Sequence, residues 1–360
     1  MDKQTRLAAK RLQKETLASL TQVDRNLWTL EYKCSYGLDE LLRRGSRGLF
    51  GSIAYLQRQV AFPPMLPDPL KEPGGCSAFG AKTPQGEYLL GRNFDYKRAP
   101  ALVVWTAPAS GYRSVASVDH NMMLYFTKYL TLGGADKPRR VLASPYASMD
   151  GVNEKGLACA ILQVETKPTK QNTGKTPIMT SVALRAALDT CATVGEAIDL
   201  FGSYDMHDLL GVCYHYVFAD AAGGLAVVEY INNEMRVLRP ETPGAPFAVS
   251  NYFLSADGDN AKAKGWDRTG RMCSALGACG GTMDETAAMD LLSRNRLYYH
   301  HKKLPHQVTT LWSEVFNCSR GGMTICANMN YRAPYRVYAD RPGVTEPLPC
   351  VRAECSPPEK

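Results

Sequence analysis

Apolar positions fall at helical spacing in only a few parts of this chain. Over residues 5–20, Leu7, Leu12, Leu17 and Leu20 stand among charged neighbours in an imperfect helical period, and residues 38–44 repeat the signal before Gly45 stops it. The pattern predicts a further helix over residues 49–60. Pro63, Pro64, Pro67, Pro69 and Pro73 then lead into Gly74 and Gly75. Such a composition neither continues a helix nor sits inside a sheet, so the stretch reads as an exposed connector ending at Cys76.

Beyond Cys76 the texture becomes strand-like. Residues 77–82 and 87–93 flank Thr83, Pro84, Gln85 and Gly86, a turn composition that predicts a hairpin. Further strands are predicted over residues 157–164, 213–219, 225–231, 247–250, 311–316 and 323–327, with helices over 181–201 and 285–293. Runs of strands with helices segregated between them predict an α+β domain of stacked, mainly antiparallel sheets covered by helices.

With 360 residues, 45% hydrophobic and 21% charged, the chain has the make-up of a globular protein carrying one large core. The first residues mix Asp2, Lys3, Arg6, Lys10 and Arg11 with few apolar positions, so no secretory leader is read there, and no stretch approaches a membrane span. The 11 cysteines are odd in number and thinly spread, which predicts mostly buried thiols in a reducing cytoplasm. A net charge of +7 with scattered Lys and Arg argues against nucleic-acid binding and suits a substrate bearing a carboxylate.

The predicted hairpin brings the start of its first strand to the end of its second, setting Cys76 beside Arg92, Asn93 and Asp95. A one-residue uncertainty of register leaves open which face each side chain takes. A cation beside a cysteine favours the thiolate, the reactive form. If Cys76 begins the mature chain, its own α-amino group, with a reference pKa of about 7.7–8.0, can serve as the base, and Asp95 can orient it. Taken alone, a cysteine in such a place is most simply a core thiol beside an Arg–Asp pair.

Several motifs in order point further. The run Gly75, Cys76, Ser77, Ala78, Phe79 followed by Gly91, Arg92, Asn93, Phe94, Asp95, Tyr96 resembles the opening of the choloylglycine hydrolase and penicillin V acylase family of N-terminal nucleophile hydrolases. The segment before the cysteine resembles the isopenicillin N acyltransferase branch. Asp150-Gly151-Val152-Asn153, then Val194-Gly195-Glu196, Ser250-Asn251, Trp266-Asp267-Arg268 and Thr310-Leu311-Trp312-Ser313 continue the series.

The resemblance implies a four-layer αββα sandwich over residues 76–360, with residues 1–75 forming a helical propeptide or small subunit that stays bound after cleavage. It implies a cut between Gly75 and Cys76, Cys76 as nucleophile, Arg92 as thiolate partner and Asp95 as partner of the α-amino group. Asn251 would donate to the oxyanion, with Asn153 the second contributor, and Arg268 or Arg271 would complete the cluster. Implied too are a linear amide substrate, such as an N-acyl amino acid, a bile conjugate or penicillin V, and no cofactor. Acyl transfer to an amine, or an uncleaved binding protein, are the alternatives, and a homo-oligomer stays open. Pocket loops are expected over residues 99–110 and 126–139. The long leading segment and the short stretch from Asn251 to Arg268 both depart from the bile salt hydrolases.

A papain-like pairing of Cys76 with His215, His207 or His120 would need a helix starting at the cysteine, where a strand is predicted. His300, His301 and His306 lack the spacing of a metal motif, as do Cys318 and Cys326.

Overall fold

The computed structural model describes residues 3–46, 55, 74–97, 100–119, 138–208, 212–242, 245–298 and 308–345. The proline-rich connector, residues 126–137, the helix predicted over 49–60 save Tyr55, and His120, His300, His301 and His306 lie outside them.

Helix α1 (Lys3–Ala18) leads into strands β1 (Thr21–Asp24) and β2 (Leu27–Tyr32), then helix α2 (Leu38–Arg44). Strands β3 (Gly75–Lys82), β4 (Tyr88–Lys97), β5 (Ala101–Thr106), β6 (Ser114–Asp119), β7 (Ser148–Asn153), β8 (Ala158–Val164) and β9 (Pro177–Met179) follow. Helices α3 (Thr180–Thr190) and α4 (Val194–Gly202) precede β10 (Asp205–His207), β11 (Cys213–Ala219), β12 (Leu225–Ile231), β13 (Glu234–Leu238) and β14 (Ala248–Val249). Helices α5 (Trp266–Ala278) and α6 (Glu285–Arg294) lead to β15 (Val308–Asn317), β16 (Gly322–Ala327) and β17 (Tyr335–Tyr338).

Nine strands form one sheet in the order β1-β2-β5-β6-β7-β8-β11-β12-β13, and six form another in the order β14-β3-β4-β15-β16-β17. The sheets face each other, with β8 on β3, β11 on β4, β16 on β7 and β17 on β6. Helix α3 covers the outside of the larger sheet, and α5 and α6 cover the smaller one, which makes the αββα sandwich. Coverage on both faces leaves β5 and β7 buried at every position, so their sequences show no polar alternation. Residues 101–106, expected in a pocket loop from the family resemblance, form a central strand. Among the described residues no helix is long and apolar enough to cross a membrane.

The segment before Cys76 departs from the helical expectation. Strand β2 lies parallel to β5 along its whole length, from Leu27 opposite Ala101 to Tyr32 opposite Thr106. Leu27 and Leu30 are fully buried in the common core. Tyr32 Oη donates to the Leu142 carbonyl at 2.8 Å, and Tyr36 Oη donates to buried Asp189 at 2.5 Å. The single helix predicted over 181–201 is two, because Cys191 is extended and Thr193 opens a new helix by accepting the Glu196 N–H.

The motif from Asp150 to Leu157 closes the β7–β8 hairpin. Gly156 turns it with φ +90°, and a Cβ there would meet the Cys318 carbonyl oxygen at 2.1 Å. Gly156→Ala is therefore strained twice over and should cost about 2 kcal/mol or more. Thermal unfolding followed by circular dichroism is expected to show a midpoint lower by about 2–3 °C or more.

Candidate active site

The hairpin forms as its turn residues predict: Gly86, at φ +91°, donates its N–H to the Thr83 carbonyl at 2.9 Å, and Thr83 Oγ1 accepts the Glu87 N–H. The register sets Cys76 opposite Phe94, Ala78 opposite Arg92 and Gly75 opposite Asp95. In an antiparallel pair opposed residues share a face and neighbours along the strand alternate. Cys76 and Arg92 therefore point together toward the larger sheet, while Asp95 points the other way, toward the helices.

On the inner face Arg92 is fully buried. Its Nη1 meets Asp150 Oδ2 at 2.7 Å, and its Nη2 donates to the Ile161 carbonyl at 2.9 Å and lies 3.8 Å from Cys76 Sγ. Trp312 Nε1 donates to the same Asp150 carboxylate at 3.0 Å. Glu314 adjoins Asp150. Burial and the neighbouring Asp150 charge push Glu314 well above the carboxylate range, and burial raises Asp150 as well, against the pull of Arg92. Burial likewise pushes the Cys76 thiol up, against the pull of Arg92, and leaves it neutral in the uncut chain.

On the outer face Arg268, from α5, reaches Asp95. Its Nη1 lies 2.6 Å from Asp95 Oδ2, Nη2 donates to Ser77 Oγ at 2.9 Å and Nε to the Asn295 carbonyl at 3.0 Å. Thr310 Oγ1 donates to the other Asp95 oxygen at 2.5 Å. Arg271, the alternative candidate, pairs with Asp267 on the exposed side of α5.

Asn251 follows β14 at the edge of the smaller sheet. Its Oδ1 accepts the Cys76 N–H at 2.9 Å and its Nδ2 donates to the Gln163 carbonyl at 2.7 Å, leaving a second N–H on that nitrogen. The structure does not bring Asn153 to this cluster. Its Oδ1 accepts from the Lys155 and Leu157 N–H groups, and its Nδ2 donates to the Leu188 and Cys191 carbonyls. Asn153 has no N–H left for an oxyanion; it ties a turn to the end of α3. His207 Nε2 faces the Gln171 carbonyl, and His215 faces Ser250 and Glu229.

Sequence reasoning missed the outer shell of this site. Asp150 was singled out only within its motif, and Thr310 and Trp312 only within theirs, yet they are the partners of Asp95 and of Asp150. Nothing in the sequence marks Glu314 or Gln163, because their significance lies in burial and cross-sheet position. Among the described residues no three His, Cys, Asp or Glu side chains stand close enough together to hold a metal ion.

Two facing sheets between helical layers define the fold class of the N-terminal nucleophile hydrolases. The chain is similar to a mutant of the conjugated bile acid hydrolase from Clostridium perfringens, with a TM-score of 0.53 and 14% identity over 75% of this chain and 96% of that one. It is similar also to penicillin V acylase from Agrobacterium tumefaciens, with a TM-score of 0.52 and 15% identity over 78% of this chain and 94% of that one. At such identities the likeness is one of fold. No curated protein matches by sequence. Residues 81–331 match the model of the acyl-coenzyme A:6-aminopenicillanic acid acyl-transferase family, and the chain belongs to that family. The match begins just after Cys76 and takes in Arg92, Asp95, Asn251 and Arg268.

The two arginines of α5 separate in a stability measurement. Arg268→Met strands the buried Asp95 charge and should cost about 3–5 kcal/mol. Arg271→Met removes an exposed pair and should cost less than about 1 kcal/mol. Chemical denaturation of both variants checks the contrast, and equal losses would refute the placement of Arg268.

Proposed function

We propose that this chain is a cysteine amidase of the N-terminal nucleophile type, activated by cutting its own Gly75–Cys76 bond. The observation that carries this reading is the setting of Cys76. Its buried sulfur lies 3.8 Å from Arg92 Nη2, and its backbone N–H meets the amide of Asn251, whose nitrogen keeps a hydrogen for an incoming oxygen. The preceding glycines fit the same reading. A Cβ on Gly74 would lie 2.8 Å from Gln163 Oε1, and one on Gly75 would lie 3.0 Å from Asp95 Oδ2. Side chains are kept off the bond to be cut, and a carboxylate rests against it.

In the first step the Cys76 thiolate attacks the Gly75 carbonyl, the C–N bond breaks and the nitrogen takes a proton. Water then hydrolyses the thioester, leaving a carboxylate on Gly75 and an α-amine on Cys76. Asp95, whose Oδ2 lies 3.0 Å from the Cβ position of Gly75, is then the carboxylate to partner that amine. An amide substrate repeats the sequence: the α-amine takes the thiol proton, sulfur attacks the carbonyl, Asn251 donates to the oxyanion, and the amine leaves with the proton. Water resolves the acyl-enzyme.

The acyl-transferase activity for which the family is named supports a second reading, in which an amine takes the acyl group instead of water. Product analysis with and without an added amine separates the two. Candidate substrates are N-acyl amino acids, bile conjugates and penicillin V, and a panel of them is the direct assay. Two further parts of the reading rest on packing. Strand β2 lies within the large sheet, so residues 1–75 stay bound after the cut, and the buried thiols Cys159, Cys191, Cys213 and Cys318 suit a reducing cytoplasm.

Intact-mass measurement is expected to find a chain starting at Cys76 that co-purifies with the N-terminal piece, while Cys76→Ala stays full length. Because burial raises the thiol and the thiolate attacks, cleavage should speed up with pH, about tenfold per unit below the thiol's pKa. Efficient amide hydrolysis by an uncut chain of 360 residues would exclude the α-amino base. Asn251→Ala should lower kcat about a hundredfold or more with a smaller change in KM; an effect on KM alone would assign Asn251 to binding.

A further inference from the structure

Asn251 sits on a loop that leaves the smaller sheet, yet the groups holding that loop come from the larger one. His215 on β11 and Glu229 on β12 follow directly after the Tyr216–Val228 pair, so they are cross-strand neighbours. Both are fully buried. His215 Nε2 stands 2.9 Å from the Ser250 carbonyl oxygen and its Nδ1 stands 3.3 Å from Glu229 Oε1. A carbonyl only accepts, so Nε2 carries a hydrogen. Glu229 accepts the Leu254 N–H at 2.7 Å, the Ser255 N–H at 3.1 Å and the Ser255 hydroxyl at 2.7 Å. With three donors around it the carboxylate is ionised, and the Nδ1 edge of the His215 ring rests against it. Burial pushes Glu229 up, but His215 and these N–H groups hold it below the ordinary value.

The pair thus grips the loop at both ends, at 250 on one side and at 254 and 255 on the other, with Asn251 between. Inside the loop Phe253 is buried against Val164, Cys213 and Ile231, and its backbone N–H and carbonyl both bond the Asn260 side chain. Such an expenditure of buried polar groups on one short loop calls for a reason. Asn251 meets Cys76 at 2.9 Å, and its catalytic use requires a donor fixed to within about half an ångström.

We infer that His215, with Glu229 behind it, is a positioning residue that fixes the Asn251 amide against Cys76 from the opposite sheet. This rests on the reading of Asn251 as oxyanion donor. His215 never touches the substrate; it acts through the Ser250 carbonyl one residue away.

The full chain serves for the test, with His215→Leu, which removes the ring and its N–H to Ser250, and His215→Gln, which keeps an N–H aimed at Ser250. Turnover of the amide found in the panel is expected to fall about tenfold or more in kcat for His215→Leu with KM within about twofold, and to recover most of that in His215→Gln. In an Asn251→Ala background the same His215→Leu change is expected to alter kcat by less than about twofold, since a residue that acts only through Asn251 has nothing left to act on. A folded His215→Leu protein with unchanged kcat, or an undiminished loss in the Asn251→Ala background, overturns the inference. Should His215→Leu not fold, Glu229→Gln, alone and in the Asn251→Ala background, carries the same comparison. Hydrogen exchange of residues 250–255, read by mass spectrometry, needs no turnover and separates the two levels. Faster exchange there in His215→Leu supports the clamp even if the wild type proves inactive on every amide, in which case the amidase reading alone fails. Unchanged exchange overturns the clamp whatever the activity.

Discussion

Two buried guanidinium–carboxylate pairs, hung on opposite faces of one strand, organise this molecule. Arg92 and Asp95 are three residues apart on β4, so the pleat sends one inward and the other outward. Arg92 binds Asp150 of the facing sheet at 2.7 Å, and Asp95 binds Arg268 of the covering helix at 2.6 Å. A single strand is thereby locked to the layer on each side of it. Removing one partner of such a pair costs about 3–5 kcal/mol, because the other is left charged and dry. The same two pairs bracket Cys76, which means that its electrostatic surroundings cannot be altered without loosening the layers.

The N-terminal segment belongs to this architecture too. Strand β2 continues the large sheet through β5, and Tyr36 reaches the buried Arg185–Asp189 pair behind it. A chain cut at Gly75 would lose a covalent link, while the sheet hydrogen bonds, the buried Leu27 and Leu30 and the tyrosine contacts remain. Loss of the segment would expose β5 as an edge, with unpaired backbone groups and a strip of core. Release is therefore disfavoured by the same forces that fold the larger sheet.

How much of this was legible in the sequence follows from the range of each interaction. The β3–β4 hairpin could be read because its turn is local, and so could α2 and the burial of the thiols. The face taken by Arg92 could not, since it depends on a one-residue register that only the assembled sheet fixes. Strands β1 and β2 were missed even though Asp24, which accepts the Asn26 N–H at 2.7 Å, marks the turn between them. Their pattern is weak because β2 is covered on one side only in part. Asn153 admitted two readings, oxyanion contributor or turn asparagine, because its motif suits both, and its four hydrogen bonds serve a turn and a helix end. Glu314 was invisible, for a glutamate in a strand gives no sign that it will be sealed between two sheets.

The charges around Cys76 suggest why an uncut chain would be a poor amidase on the proposed reading. Arg92 and Arg268 are answered by Asp150 and Asp95, so each buried guanidinium already has its carboxylate. A thiolate formed in the uncut chain has to send its proton out to solvent and leaves one uncompensated negative charge in a buried site, which is the origin of the raised thiol. After the cut the proton moves a short way, from sulfur to the α-amine of the same residue, and the buried charge does not change. Asp95, already beside the position that Gly75 vacates, stabilises the ammonium that results. Cleavage would then do more than supply a base: it would turn an ionisation that the interior opposes into a proton transfer to which the interior is indifferent.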